Sequence, residues 1–137
     1  MLSKLSEHLK AYLQAHSNCI VSVRSAGNSA AMPVLYRAKG LQVECLVPRW
    51  ADVAYYLEQN PEVILVVPDS ASGISRWLQY QGLARVSECE DWANWQTYSF
   101  LPSASPELYT VFQVSPVRLD LIDESKGWGV RETLEIC

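Results

Sequence analysis

The chain has no cluster of basic residues and no long apolar run, and these two absences narrow the functions it can serve. Its 137 residues include 11 lysines and arginines against 15 aspartates and glutamates, which gives a net charge of -4. The basic residues are scattered, so the positive stripe that a nucleic-acid backbone requires is missing, and nucleic acid is not expected as a partner. No segment reaches the roughly 20 apolar residues needed to span a bilayer. We therefore expect a cytoplasmic protein without membrane contact.

Several sequence patterns of catalytic chemistry are also missing. The four cysteines are Cys19, Cys45, Cys89 and Cys137. They form no C-x-x-C pair, which favours reduced thiols over a metal site. The sequence has no H-E-x-x-H pattern, no glycine-rich phosphate loop and no serine or cysteine spaced with a partnering acid. The two histidines, His8 and His16, are expected on the exposed side of a first helix, in structural roles.

The composition that remains is that of one globular domain, which we predict over residues 1–137. Hydrophobic residues make up 49% of the chain and charged residues 19%, which suits a chain with a single core. Leucines at positions 2, 5, 9 and 13 recur at helical spacing. They predict an amphipathic first helix that is closed by residues 17–18.

Strand patterns dominate the rest of the chain. An apolar run over 19–24, a turn at 26–28 and an extended run over 30–37 predict a hairpin, and alternation over 41–47 adds a third strand. A short helix from residue 50 ends at Asn60-Pro61, because the residue before proline disfavours the α region. Further strands are predicted over 62–67, 74–88 and 109–123, whereas 90–106 is predicted as loop with a helical turn at 91–95. Six strands with short turns favour a closed antiparallel barrel.

This order of elements resembles the pyridoxamine 5'-phosphate oxidase-like family, the FMN-binding split barrels. The segments that carry the resemblance are CIVSVRSAGNSAAMPVLYRAKGLQVECLV, LEQNPEVILVV, RWLQYQGLARV and YTVFQVSPVRLDLID. The resemblance implies a mainly β fold, a six-stranded antiparallel split barrel with flanking helices. It also implies a homodimer with two FMN sites between the subunits, and many members use the flavin for redox chemistry.

The phosphate site that the resemblance implies is altered in this chain. Family members hold the FMN phosphate with basic residues on the second strand and with a serine and a lysine at the start of the helix that ends in Asn-Pro. Counted back from Asn60-Pro61, the serine position is Ala51 and the lysine position is Val53. Met32 stands where an arginine is frequent. None of these three side chains can bind a phosphate.

Three residues are left as the predicted phosphate-binding group. Arg37 matches the later basic position of the second strand, and Arg49 lies beside the helix start, where it could replace the lost lysine. The helix start at Trp50 still offers free N–H groups to an anion. The alternative is that both arginines are solvated surface charges.

A second group is predicted to contact the flavin ring or the partner subunit. Trp77 and Gln79, with Gln81, share one face of the strand where family members contact the flavin. They could equally be a packed tryptophan with exposed glutamines. Trp128 and Arg131 lie in a tail with two glycines, where close approach to a ligand or a dimer contact would explain them.

Two functions follow from these observations. The leading hypothesis is a dimeric FMN-binding flavoprotein, an oxidoreductase that transfers hydride to or from a small substrate. The alternative is a split barrel that has lost FMN and acts as a ligand-binding or protein-interaction module, or that takes haem or a deazaflavin in the same cleft. Oxidation of pyridoxamine phosphate itself is not expected, because the substrate-binding basic residues of that enzyme have no counterpart beyond Arg131. No metal is predicted.

Overall fold

The computed structural model describes residues 2–69, 75–88, 91–99 and 103–136. Its helices are α1 (Leu2–Ala15), α2 (Asp52–Gln59) and α3 (Trp92–Ser99), with a short 3-10 turn over Glu124–Lys126. Its strands are β1 (Asn18–Ser25), β2 (Asn28–Lys39), β3 (Gln42–Pro48), β4 (Glu62–Pro68), β5 (Arg76–Val86), β6 (Tyr109–Asp123) and β7 (Arg131–Glu135). Among the described residues, no helix is long and apolar enough to cross a membrane.

The strands form one antiparallel sheet that closes on itself. Its order is β3-β2-β1-β4-β5-β6-β7, and an additional pairing of β3 with β6 closes the first six strands into a barrel. Strand β6 is long enough to serve both neighbours, because residues 109–114 pair with β3 and residues 118–122 pair with β7. The predicted six-stranded antiparallel barrel is confirmed, and β7 is an extra strand beside it.

Two tight turns set the register of the first three strands. Ala26 and Gly27 both have positive φ, 52° and 81°, which is the backbone form that matches the right-handed twist of a hairpin. Gly40, with φ of 64°, makes the next turn and leaves Arg37 opposite Glu44. The predicted hairpin and third strand are confirmed.

The core fills the barrel and extends under two helices. Inward residues of every strand are buried, and α1 and α2 cover the barrel with their apolar faces through Leu9, Leu13, Val53 and Leu57. The thiols of Cys19 and Cys45 belong to this core and are reduced, as predicted. A smaller second cluster, consisting of Leu46, Trp95, Ala104 and Val111, lies outside the barrel where α3 covers β3 and β6.

Three details differ from the sequence prediction. The helical turn predicted at 91–95 is a full helix, α3, and the tail contains strand β7. His16 lies one residue beyond α1 and is half-buried rather than exposed on the helix, because its ring packs on Tyr12. The sequence also predicts a loop over 68–73, but Pro68 ends strand β4, and residues 70–73, like Cys89 and Cys137, fall outside the described residues.

Candidate functional site

Arg37, the first residue of the predicted phosphate group, is bound within its own hairpin. It lies on β2 directly opposite Glu44 of β3. Its Nε donates to Glu44 Oε1 at 2.8 Å, and Lys39 Nζ lies 3.5 Å from the same oxygen. Only 16% of the Arg37 side chain is exposed, so this pair is shielded from solvent.

A third element completes the surroundings of Arg37. Asp91, just before α3, accepts a 2.7 Å hydrogen bond from Arg37 Nη2, and the guanidinium lies 4.4 Å from the ring centre of Trp95. Burial works against the charge, but the hydrogen bonds to Glu44 and Asp91 outweigh it and raise the pKa of Arg37 above its ordinary value. The guanidinium is therefore held by two carboxylates and an aromatic face.

The start of α2 provides little that could hold a phosphate. Ala51 and Val53 are packed in the core with 4% and 1% exposure. Asp52 places a carboxylate in the first turn of the helix, at the end of the helix dipole that a phosphate would otherwise occupy. Arg49 donates from Nε to the Pro106 carbonyl at 2.6 Å. Trp50 beside it is 82% exposed.

The second predicted group lies on the outer face of the sheet. Trp77 pairs with Ile122 of β6, and Arg131 of β7 pairs with the other side of Ile122. Gln79 lies two residues along β5, so it shares the outer face of Trp77. Trp128, in the turn before β7, is 94% exposed.

The barrel keeps the two predicted groups apart. Arg37 is on β2 and Arg49 follows β3, whereas Trp77 and Gln79 are on β5. In the closed sheet β2 and β5 are separated by two strands in either direction. One chain therefore does not bring these residues to one pocket, and a ligand that touched both groups would lie between two subunits.

Comparison with solved structures identifies this architecture. General stress protein 26 from Bacillus anthracis is 16% identical, with a TM-score of 0.73 over 96% of this chain and 98% of that chain. A related protein of the pyridoxinephosphate oxidase family from Clostridium acetobutylicum is 13% identical, with a TM-score of 0.71 over 97% and 95%. The fold is that of the pyridoxamine 5'-phosphate oxidase-like split barrels.

Haem proteins share this split-barrel fold. HutZ, the haem storage protein from Vibrio cholerae, is 16% identical, with a TM-score of 0.62 over 80% of this chain and 88% of that chain. No family model and no curated protein matches the chain. At these identities the likeness concerns the fold, and the chemistry must be argued from the residues of this chain.

Asp120 is a buried acid of the split barrel that the sequence did not single out. It lies on the outer face of β6 between Gln79 and Thr133, with 1% exposure. Thr133 Oγ1 donates to Oδ1, and Arg118 Nε donates to Oδ2 at 3.1 Å. Burial opposes ionisation, but these hydrogen bonds outweigh it and lower the pKa of Asp120. The acid is satisfied, which makes it a structural anchor for β7.

Neither histidine is poised to ligate a metal or haem. The Nδ1 of His16 lies 2.7 Å from the Tyr12 carbonyl oxygen, and its Nε2 lies 3.4 Å from Asp69 Oδ1. Both ring nitrogens are thus occupied, and His8 is exposed on α1. Among the described residues no cluster of histidine, cysteine, aspartate and glutamate could hold a metal ion.

The sheet also carries a groove that Gln81 lines, but no other residue of the two predicted groups does. It has a volume of about 570 Å³ and lies across the outer face of β1, β4 and β5. Its lining includes Ser22, Arg24, Glu62, Ile64, Gln81, Gly82, Leu83 and Val117. Gly82 is the signal in the sequence, because a single glycine inside a strand pattern indicates a bulge or a close backbone approach. The β5–β6 register shifts at Gln81 and Gly82.

Proposed function

We propose that this chain is a cytoplasmic, homodimeric split barrel that has lost the flavin phosphate clamp and acts as a non-enzymatic ligand-binding or protein-interaction module. The observation that carries the proposal is the state of Arg37. Its guanidinium binds Glu44 and Asp91 and stacks on Trp95. A phosphate dianion at this arginine would have to displace or approach two carboxylates, and like charges at close range are strongly unfavourable in a shielded site.

The start of α2 supports the same proposal. The family's serine and lysine positions are buried alanine and valine, and Asp52 adds a negative charge to the first helical turn. Family members bind the phosphate with charge-assisted hydrogen bonds, and beside the start of α2 this chain offers Arg49 as the cation. Its Nε is already bonded to a carbonyl.

The flavoprotein hypothesis is the second candidate, and two observations favour it. Named structural neighbours include a member of the pyridoxinephosphate oxidase family. Arg49 and the exposed ring of Trp50 place a cation and a flat aromatic face at the start of α2. If FMN binds, the flavin supplies the redox chemistry, and this chain orients it and excludes water. Haem is less favoured, because neither histidine offers a free ring nitrogen from a shielded position.

Titration of the purified protein with FMN, followed by flavin fluorescence, tests the proposal. We expect no saturable binding up to roughly 100 μM, which corresponds to less than about 5.5 kcal/mol of binding free energy. We also expect no difference between the wild type and Arg49→Ala, and light scattering should still show a dimer. One FMN per subunit with micromolar affinity, weakened by Arg49→Ala and unaffected by the control Arg85→Ala on β5, would contradict the proposal and establish the second candidate.

A further inference from the structure

Two opposite charges lie side by side in the groove, at one end of β1 and β4. Val23 of β1 pairs with Val63 of β4, so Arg24 and Glu62 are the next opposing residues, and both line the groove and are exposed. Side chains directly opposite on antiparallel strands lie about 5 Å apart at Cβ, and opposite charges there ordinarily attract. Among the described residues, however, neither Arg24 nor Glu62 forms a salt bridge. Both charges are therefore available to a ligand.

A single side chain fixes the backbone of both charged residues. Asn60, which follows α2, donates from Nδ2 to the Arg24 carbonyl oxygen at 2.8 Å, and the Glu62 N–H donates to Asn60 Oδ1 at 3.1 Å. The Ser25 hydroxyl donates to Gln59 Oε1 at 2.8 Å, which ties the same end of β1 to α2. The two charges thus stand on a rigid backbone, so a ligand that binds them has little chain to order.

Apolar side chains adjoin the charged pair. Leu83 of β5 pairs with Glu62, and Ile64 lies two residues further along β4 on the same face. The register shift at residues 81–82 leaves Val117 of β6 as the extra residue of the bulge, and a bulge bends its strand. These three apolar side chains are between 41% and 48% exposed. An apolar surface next to a few convergent polar groups is typical of a small-molecule site.

The dimensions of the groove also suit a small molecule. Its volume of about 570 Å³ lies within the range of roughly 300–1,000 Å³ that is usual for ligand pockets. Neighbouring strands are about 4.8 Å apart, so Arg24 on β1 and Leu83 on β5, two strands away, are separated by about 10 Å. A molecule with a charged head and a short apolar body can span this distance.

The paired charges restrict what the head of the ligand can be. A carboxylate or phosphate alone is attracted by Arg24 but repelled by Glu62, and an amine alone meets the reverse. A molecule that carries both charges on neighbouring atoms satisfies both residues. A free α-amino acid has this arrangement, because its carboxylate, its ammonium group and its side chain leave one carbon atom.

We infer that the groove binds a free α-amino acid with an apolar side chain. Arg24 binds the carboxylate, Glu62 binds the ammonium group, and the side chain lies between Ile64, Leu83 and Val117. The inference deepens the ligand-binding form of the proposed function and rests on it. It assigns that function a ligand class and a site on the opposite side of the sheet order from the altered phosphate group.

Titration of the full-length, ¹⁵N-labelled protein with L-leucine, followed by NMR, tests the inference. We expect saturable shifts of amides that line the groove, with a dissociation constant of roughly 1 mM or below. Leucinamide lacks the carboxylate, N-acetylleucine lacks the ammonium group and glycine lacks the side chain. Each should bind at least roughly tenfold more weakly than L-leucine. These comparisons leave the protein unchanged, so they do not depend on the folding of a variant.

Variants of the two charged residues assign the contacts. Arg24→Met should weaken the binding of L-leucine by roughly tenfold or more without weakening that of leucinamide, which has no carboxylate to lose. Glu62→Gln should do the same for L-leucine without weakening the binding of N-acetylleucine. Arg131→Met and Glu132→Gln, at exposed positions of β7 outside the groove, are the matched controls and should bind L-leucine like the wild type.

Binding with this pattern of analogues and variants supports the inference. It is overturned if the groove amides show no saturable shift up to roughly 10 mM L-leucine, if leucinamide and N-acetylleucine bind as tightly as L-leucine, or if the β7 controls lose as much affinity as Arg24→Met and Glu62→Gln. The FMN titration decides the loss of the clamp separately. A groove that binds no amino acid and a barrel that keeps its flavin are therefore distinguishable results.

Discussion

At the scale of single residues, the hydrogen-bond partners of an arginine decide whether it can bind an anion. Arg37 stands at a position that would suit a phosphate, yet its donors are taken by Glu44 and Asp91. An arginine bound in this way is favoured over a phosphate-bound one, because its partners are already in place and no ligand has to be ordered.

Asp120 yields a pH-dependent prediction at the same scale. Its pKa lies below the ordinary value of 3.8, since the hydrogen bonds from Thr133 and Arg118 outweigh the effect of burial. The unfolded chain therefore binds a proton more readily than the folded one as the pH falls. The stability that this carboxylate contributes is fully present above the ordinary value and is lost as the pH falls through the lowered one.

We expect Asp120→Asn to lower the free energy of unfolding at pH 7. The free energy of unfolding of the variant should also fall less than that of the wild type as the pH is lowered. Urea unfolding at several pH values between 7 and 3 measures both quantities. The gap between the free energies of unfolding of the wild type and the variant should narrow below about pH 4. If the free energies of unfolding of the wild type and Asp120→Asn fall in parallel with pH, the titration of Asp120 does not contribute to the pH dependence of stability.

At the scale of elements, the closure of the barrel depends on a close approach at Gly82. A Cβ at this position would lie 2.6 Å from the Ser115 carbonyl oxygen and 2.7 Å from Val114 Cγ1. Backbone cannot rotate out of the way, so the β5–β6 pair would have to separate at the bulge. We expect Gly82→Ala to cost about 3 kcal/mol, the upper end for overpacking.

Gly40→Ala is the natural comparison for this prediction. A Cβ there meets nothing within 4 Å, and only its φ of 64° opposes the change, which costs roughly 1–2 kcal/mol. Urea unfolding should therefore rank Gly82→Ala as the less stable variant. Equal losses, or the reverse order, would mean that the two strands can adjust to a side chain at the bulge.

The strands and helices differ in how well the sequence predicts them. The hairpin at Gly40 could be predicted from the pattern, and its register alone places Arg37 opposite Glu44. Strand β7 and the full length of helix α3 could not be predicted, because β7 has a single buried residue, Leu134, and among the described side chains of α3 one, Trp95, is buried. Such elements form because the folded barrel offers them a surface. Asp91, 54 residues from Arg37, could only be found in three dimensions.

At the scale of the whole molecule, the second cluster is a unit distinct from the barrel core. Helix α3 is attached through Trp95, through the Arg37–Asp91 pair, and through a 2.7 Å hydrogen bond from the Tyr98 hydroxyl to the Tyr36 carbonyl. The barrel strands, by contrast, share one continuous core. A small cluster outside the main core should open at a lower free energy than the barrel.

Native-state hydrogen exchange tests this separation. We expect the amides of α3 to exchange through an opening of lower free energy than those of β1 and β4, and Asp91→Asn to lower that free energy further without affecting the strands. Glu7→Gln, which breaks an exposed pair with Lys10 on α1, should leave α3 unchanged. Exchange of α3 only through global unfolding would contradict the prediction. Because Asp91 holds Arg37 in the closed state, the same opening limits phosphate binding at this position, and the apparent affinity for such a ligand equals the intrinsic affinity multiplied by the open fraction.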